Sequence, residues 1–205
     1  MSTQQSRPAG IKRNTNPPGH IPAADLRTQH DVLTFTVGVE EYGIGIAHIR
    51  EITKYKPITE VPRVPAFVAG IILVRGQVVP VLDLRLRLRL RAGPLSSKSR
   101  ILVVSRPVSD SESINEDERE VFGLIVDRVS QVVRVDEQDI DPPTLLAGHE
   151  SEFVAGICRL RPDEDEPPRP PVRSGLGVAV GEHARIVILL DLLRVLSFDH
   201  GGRML

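Results

Sequence analysis

The chain has 205 residues, 40% of them hydrophobic, with two Tyr, five Phe, no Trp and a formal net charge of -1. That length allows one domain or two small lobes around a core of Val, Ile and Leu, a composition that favours strands. Near-neutral charge excludes a global basic field for nonspecific nucleic-acid binding, and the single Cys158 excludes an internal disulfide.

Residues 1–30 carry Pro8, Pro17, Pro18 and Pro22 without apolar periodicity, which predicts a disordered tail with order beginning near Asp31. They also lack the apolar core of a secretory signal, and the longest apolar runs, such as 187–190, fall far short of the roughly 20 residues that cross a bilayer. The expectation is a cytoplasmic protein without membrane insertion. From Val32 the chain alternates, with Leu33, Phe35 and Val37 on one side of a strand that turns at 38–41 into a second strand over 42–46. Residues 47–52 have the length of one helical turn. Pro57, Pro62 and Pro65 then interrupt the chain, so a strand over 58–61 must be irregular or at an edge.

Strands over 70–74 and 78–82 flank Arg75-Gly76-Gln77, a hairpin signal because glycine supplies the positive φ of a tight turn. Pro80 predicts that the second of these strands exposes an edge. Further strands are expected over 100–105, 121–126, 131–135, 154–160 and 185–190, with a helical turn over 192–196. The Ser, Asp and Glu stretch at 109–120 reads as a solvated loop. Residues 161–175, rich in Pro and acidic side chains, read as a mobile insert, and 198–205 as a tail.

The pentapeptide Phe-Val-Ala-Gly-Ile occurs at 67–71 and again at 153–157. Two further matches keep the same order: Tyr42-Gly43-Ile44 with Phe122-Gly123-Leu124, and Leu82-Asp83-Leu84 with Leu190-Asp191-Leu192. The chain therefore reads as one unit used twice, each copy a subdomain with its own core and room for about five short strands.

No catalytic cluster stands out. The six histidines show no ligand spacing and no second Cys exists, so neither a metal site nor a cofactor is expected. Gly43 and Gly45 lack the rest of a phosphate loop. Asp83 and Asp191 could form a carboxylate pair, but each fits better as an N-cap where a strand enters a helical turn. The Leu-Arg alternation over 84–91 would place four arginines on one face of a strand, a patch for an anionic partner such as nucleic acid. As a helical connector the same run spreads its arginines into a solvated face, the reading preferred here. Glu51 and Arg75 are either a surface ion pair of little energetic weight or charged anchors in an apolar contact patch with Ile49 and Ile52.

The run Glu41-Tyr42-Gly43-Ile44, Ile49-Arg50-Glu51-Ile52, Val64-Pro65-Ala66-Phe67-Val68-Ala69-Gly70-Ile71, Val74-Arg75-Gly76 and Val79-Pro80-Val81-Leu82-Asp83-Leu84 resembles the CheW family of chemotaxis coupling proteins. Phe122-Gly123-Leu124-Ile125-Val126-Asp127, Val129, Val132 and Leu190-Asp191 extend the resemblance over about 30–197. It implies a mostly β fold of two SH3-like five-stranded barrels, the first about 31–95 and the second about 96–197, with short helical turns. It also implies a non-catalytic adaptor. Its partners would be the regulatory domain of a CheA-type histidine kinase, the cytoplasmic tip of methyl-accepting chemoreceptors, and other CheW-like proteins in arrays. By position, Ile49, Glu51, Ile52, Arg75 and Gly123 are the implied receptor-binding residues, and Gly70, Gly76, Asp83 and Asp191 have kinase-coupling or structural roles. The family's Asn-Leu-Arg-Gly turn reads Leu73-Val74-Arg75-Gly76 here.

Overall fold

A computed structural model describes residues 29–107, 119–143, 152–160 and 185–197. In chain order the elements are β1 (Gln29–Val37), β2 (Glu40–Gly45), β3 (Ile49–Lys54), β4 (Val68–Val74), β5 (Gln77–Asp83), α1 (Leu84–Arg87), β6 (Arg100–Pro107), β7 (Arg119–Val126), β8 (Arg128–Asp136), β9 (Ile140–Asp141), β10 (Val154–Leu160), β11 (Arg185–Leu190) and α2 (Leu192–Leu196). The sequence-predicted loop at 109–120 and insert at 161–175 lie largely outside the described residues, as do residues 1–28 and 198–205. Gln29 and His30, assigned above to the tail, are strand residues paired with Asp136 and Val135.

The fold is mostly β and consists of two SH3-like subdomains. One sheet has the order β3-β6-β7-β5-β4, here the first barrel; the other has the order β8-β1-β2-β11-β10-β9, the second barrel. Each closes through a short segment: Thr59 bridges Ile71 with a pair of backbone hydrogen bonds of 3.0 and 2.9 Å, and β9 pairs with β10.

Strand pairing does not follow the consecutive division at 95/96. The β6–β7 hairpin, from the second copy of the repeat, sits between β3 and β5 of the first copy. The β1–β2 hairpin, from the first copy, sits between β8 and β11 of the second. The exchange is reciprocal, with four joints: the antiparallel pairs β3–β6 and β1–β8, and the parallel pairs β5–β7, with Val81 opposite Gly123, and β2–β11, with Leu189 opposite Gly43. Its physical reason lies in the cores.

The largest of three apolar clusters among the described residues lies between the barrels and takes Phe35, Val37 and Ile44 from one sheet and Leu82, Leu102, Val104 and Leu124 from the other. The interior of the first barrel is smaller, built on Val79, Val81, Ile101 and Val103. That of the second rests on Val32, Val135, Cys158 and Val187. Along β6 the alternation is plain: Leu102 and Val104 face the seam, Ile101 and Val103 the barrel interior. Units this small bury too little apolar surface alone, and lacing them together turns two exposed sheet faces into one shared core.

Local details follow from residue chemistry. Arg75 (φ 50) and Gly76 (φ 83) form a two-residue turn with both residues in the left-handed region, as a tight hairpin between β4 and β5 requires. Strand β5 is interior, not an edge, yet Pro80 falls one residue before its pairing with β7 begins, so its missing N–H costs no ladder bond there. The expected helical turn over 47–52 is a 3-10 turn over Ile46–His48 followed by β3. Ile49, Ile52 and Thr53 are β-branched, and pairing with β6 outweighs the weak helical pattern.

Candidate functional site: a docking surface on the first barrel

Glu51 lies on β3, at one edge of the first barrel's sheet, and Arg75 lies in the β4–β5 turn at the other. Closure brings them together: Arg75 Nε donates to Glu51 Oε2 at 2.9 Å. Their side chains are 83% and 32% exposed, so the pair is worth at most about 1 kcal/mol to the fold. Beside it, Lys56 Nζ donates to the Leu73 carbonyl at 2.8 Å, tying the chain after β3 to the same hairpin.

The pair stands among exposed apolar side chains. Leu73 and Val78, directly opposite each other across the hairpin, are 63% and 61% exposed, and Ile52, next to Glu51, is 44% exposed. Glu51 pairs with Val103 on β6, which faces the barrel interior, whereas Ile52 pairs with Leu102 and Ile49 with Val104, which face the seam. The register shift between Ile49 and Glu51 is what puts both isoleucines on the seam side. Strand β3 thus presents an apolar margin of the inter-barrel groove on one side and a charged barrel mouth on the other.

Of the other residues named from sequence, Gly123 is not at this surface. It is buried at the β5–β7 joint, and a Cβ there would lie 2.9 Å from Ile101 Cγ2 and 3.1 Å from Val81 Cγ2. It is part of the barrel wall, with Ile101 and Val81 packed against it. Gly70 (φ 139) is also buried, and a Cβ would meet the Thr59 carbonyl oxygen at 2.2 Å, so it serves barrel closure. Gly76 completes the turn that presents Arg75.

Asp83 and Asp191 occupy matching places at the starts of α1 and α2. Asp83 Oδ1 accepts from the Arg85 and Leu86 N–H groups at 2.9 and 3.3 Å, and Asp191 Oδ1 from the Arg194 N–H at 3.1 Å. Both carboxylates are spent on orphan helix donors. Among the described residues no group of three His, Cys, Asp or Glu gathers where it could hold a metal ion.

The arginine run differs from both sequence expectations. It is neither a strand with four arginines on one face nor a solvated helical face. Arg87 is 5% exposed, and Arg85 bonds Asp127 through Nη2 at 2.6 Å and Nε at 3.1 Å. Arg87 Nε donates to the Val195 carbonyl at 2.7 Å, and its Nη2 to the Arg194 and Ser197 carbonyls at 3.0 and 2.9 Å. Its guanidinium carbon lies 4.8 Å from the Phe67 ring centroid and 4.4 Å from that of Phe153. Burial pushes its pKa below the ordinary arginine value, opposed by Glu152 and aided by Arg89. With two arginines committed inside the fold, the run offers no phosphate-binding stripe. The one sequence signal for Arg87 was the duplicated Phe that flanks it.

A family model for the CheW-like domain matches residues 31–199. The chain belongs to the CheW-like family. It is 32% identical over 142 residues to the chemotaxis protein CheW of Treponema pallidum, covering 68% of this chain and 78% of the relative. It is 30% identical over 170 residues to CheW of Klebsiella aerogenes, covering 82% of each. The crystal structure of the scaffolding protein TtCheW from Thermoanaerobacter tengcongensis matches with a TM-score of 0.63 at 28% identity, over 87% of this chain and 99% of that one. Membership of this family makes the chain a chemotaxis adaptor. No helix among the described residues is long and apolar enough to cross a membrane.

Proposed function

We propose that this chain couples methyl-accepting chemoreceptors to a CheA-type histidine kinase in the cytoplasm, without catalysing a reaction itself. The receptor's cytoplasmic tip docks on the first barrel along Ile49 and Ile52, with Glu51 and Arg75 selecting it by charge. The kinase's regulatory domain, and other CheW-like proteins in extended arrays, dock on the remaining barrel surfaces. The observation that carries this reading is the Glu51–Arg75 pair set among the exposed Ile52, Leu73 and Val78. Exposed apolar side chains next to fixed charges are what a docking surface needs: apolar area gives affinity, and charge gives rate and partner choice.

The test is a pulldown of the purified chain, wild type and Arg75→Glu, against a kinase regulatory domain and a receptor cytoplasmic fragment from the same genome. Binding of both, with receptor-dependent control of phosphorylation lost in the variant, is the expected outcome. A wild-type chain that binds neither would overturn the reading.

A further inference from the structure

The matching Asp83 and Asp191 put α1 and α2 in register, and in that register Arg87 corresponds to Val195. Arg87 Nε donates to the carbonyl of that same Val195. A residue can touch its own counterpart only near the axis that relates the two copies. Phe67 and Phe153, also counterparts of each other, both lie against the Arg87 guanidinium. Arg87 therefore stands on the local two-fold of the molecule, and as a single side chain it breaks that symmetry.

The seam around it is made of Leu, Val, Ile and Phe, with Tyr42. Apolar burial is non-directional, so it presses the barrels together without dictating their angle. Among the described residues, directional contacts between the two sides gather on α1, beside the bonds from Arg106 Nη1 to Ser197 Oγ at 3.3 Å and from the Asp127 N–H to the Thr36 carbonyl at 3.0 Å. Through Arg87 the helix holds the end of α2, donating to the Val195, Arg194 and Ser197 carbonyls; the Arg194 carbonyl also accepts the Ser197 N–H at 3.3 Å. Through Arg85 it holds both oxygens of Asp127, of which Oδ2 also accepts the Gly38 N–H of the β1–β2 turn at 2.7 Å. A planar guanidinium gripping three carbonyls at fixed angles tolerates little rotation.

We propose that Arg87 is a positioning residue that sets the orientation of the two barrels relative to each other. Resting on the coupling function proposed above, this fixed orientation is what transmits a change at the first barrel to a partner held by the second.

The test uses the full chain with Cys158→Ala, spin labels at Lys54→Cys on β3 and Arg128→Cys on β8, and Arg87→Gln and Arg87→Lys as variants. Lysine keeps the charge and loses the planar fork, so it holds the comparison should glutamine prevent folding. Pulsed electron–electron distance measurement without any partner is expected to give one narrow distribution for the parent. In the variants the distribution broadens or shifts, while amide exchange within β5, β7 and β11 keeps its protection. A parent-like distribution in both variants would overturn the proposal. In a reconstituted receptor–kinase assay, the Lys variant should still bind each partner separately and lose receptor-dependent kinase control; control intact despite a broadened distribution would overturn the coupling role. Failure of the parent to bind either partner would count against the coupling function alone, because the distance measurement needs neither.

Discussion

Gly43 and Gly123 hold the same place in the two copies of the repeat, and each lies against a strand supplied by the other copy: Gly43 opposite Leu189, Gly123 opposite Val81. A Cβ at Gly43 would lie 2.6 Å from Val32 Cγ1, and one at Gly123 would lie 2.9 Å from Ile101 Cγ2. Both are close-approach glycines at the joints of the exchange.

Substituting Gly123→Val should therefore act on the fold. Overpacking at this buried joint is expected to cost about 1–3 kcal/mol in chemical denaturation. Partner binding per folded molecule should be unchanged. A stable variant that has lost a partner would return Gly123 to the docking surface.

Arg75→Glu should show the opposite pattern. The pair with Glu51 is solvent-exposed, so stability should fall by less than about 1 kcal/mol. Docking, which uses the charges directly, should fall further. Combining Glu51→Arg with Arg75→Glu restores the ion pair and its small stability term but not the partner's binding, which a pulldown beside a urea titration reads.

Ile52→Lys tests the apolar half of the surface. At 44% exposure, its side chain loses little on becoming charged, so the thermal midpoint should barely move while partner binding drops. Leu84→Ala, fully buried in the seam, is the contrast: it should cost about 2–5 kcal/mol.

Cys158 should be a silent thiol at neutral pH. Burial, with Asp139 and Asp141 nearby, raises its pKa from 9.0 to about 11. The folded state holds that proton more tightly than the unfolded chain. This increment of stability is thus complete below pH 9.0 and lost as pH rises through about 11. Thiol modification of the folded protein should be slow at pH 8 and accelerate towards pH 11; rapid labelling at pH 8 would show the site to be open.

Asp83→Ala and Asp191→Ala should each remove an N-cap, at about 1 kcal/mol. The two losses should not simply add in denaturation, since Arg87 joins α1 to the carbonyl of Arg194, the residue whose N–H Asp191 caps on α2.

Much of the strand layout was legible because alternation and turn chemistry are local. Strands β10 and β11 and helix α2 begin and end where the sequence placed them, and Arg75-Gly76 declared its hairpin. Membership of the sheets was not legible, since a repeat whose hairpins match in pattern can pair within a copy or across copies. Only the joint burial of Leu102 and Leu124 with Phe35 and Ile44 decides between them. Arg87 escaped for a related reason: charge predicts a wet side chain unless the carbonyls that receive it are known, and these lie more than a hundred residues away. Of the docking surface, Glu51 and Arg75 were legible as an ion pair or as contact anchors, and their distance is set by closure of the first barrel.

The laced strands also constrain how the protein is made. Gly43 is synthesised well before the strand it must pair with in parallel, at Leu189. The second barrel cannot finish until β11 has been made, whereas every strand of the first, β3 to β7, precedes it. The nascent β1–β2 hairpin waits, apolar face open, for its partner, and this is the interval in which chaperones and neighbouring nascent chains compete for it.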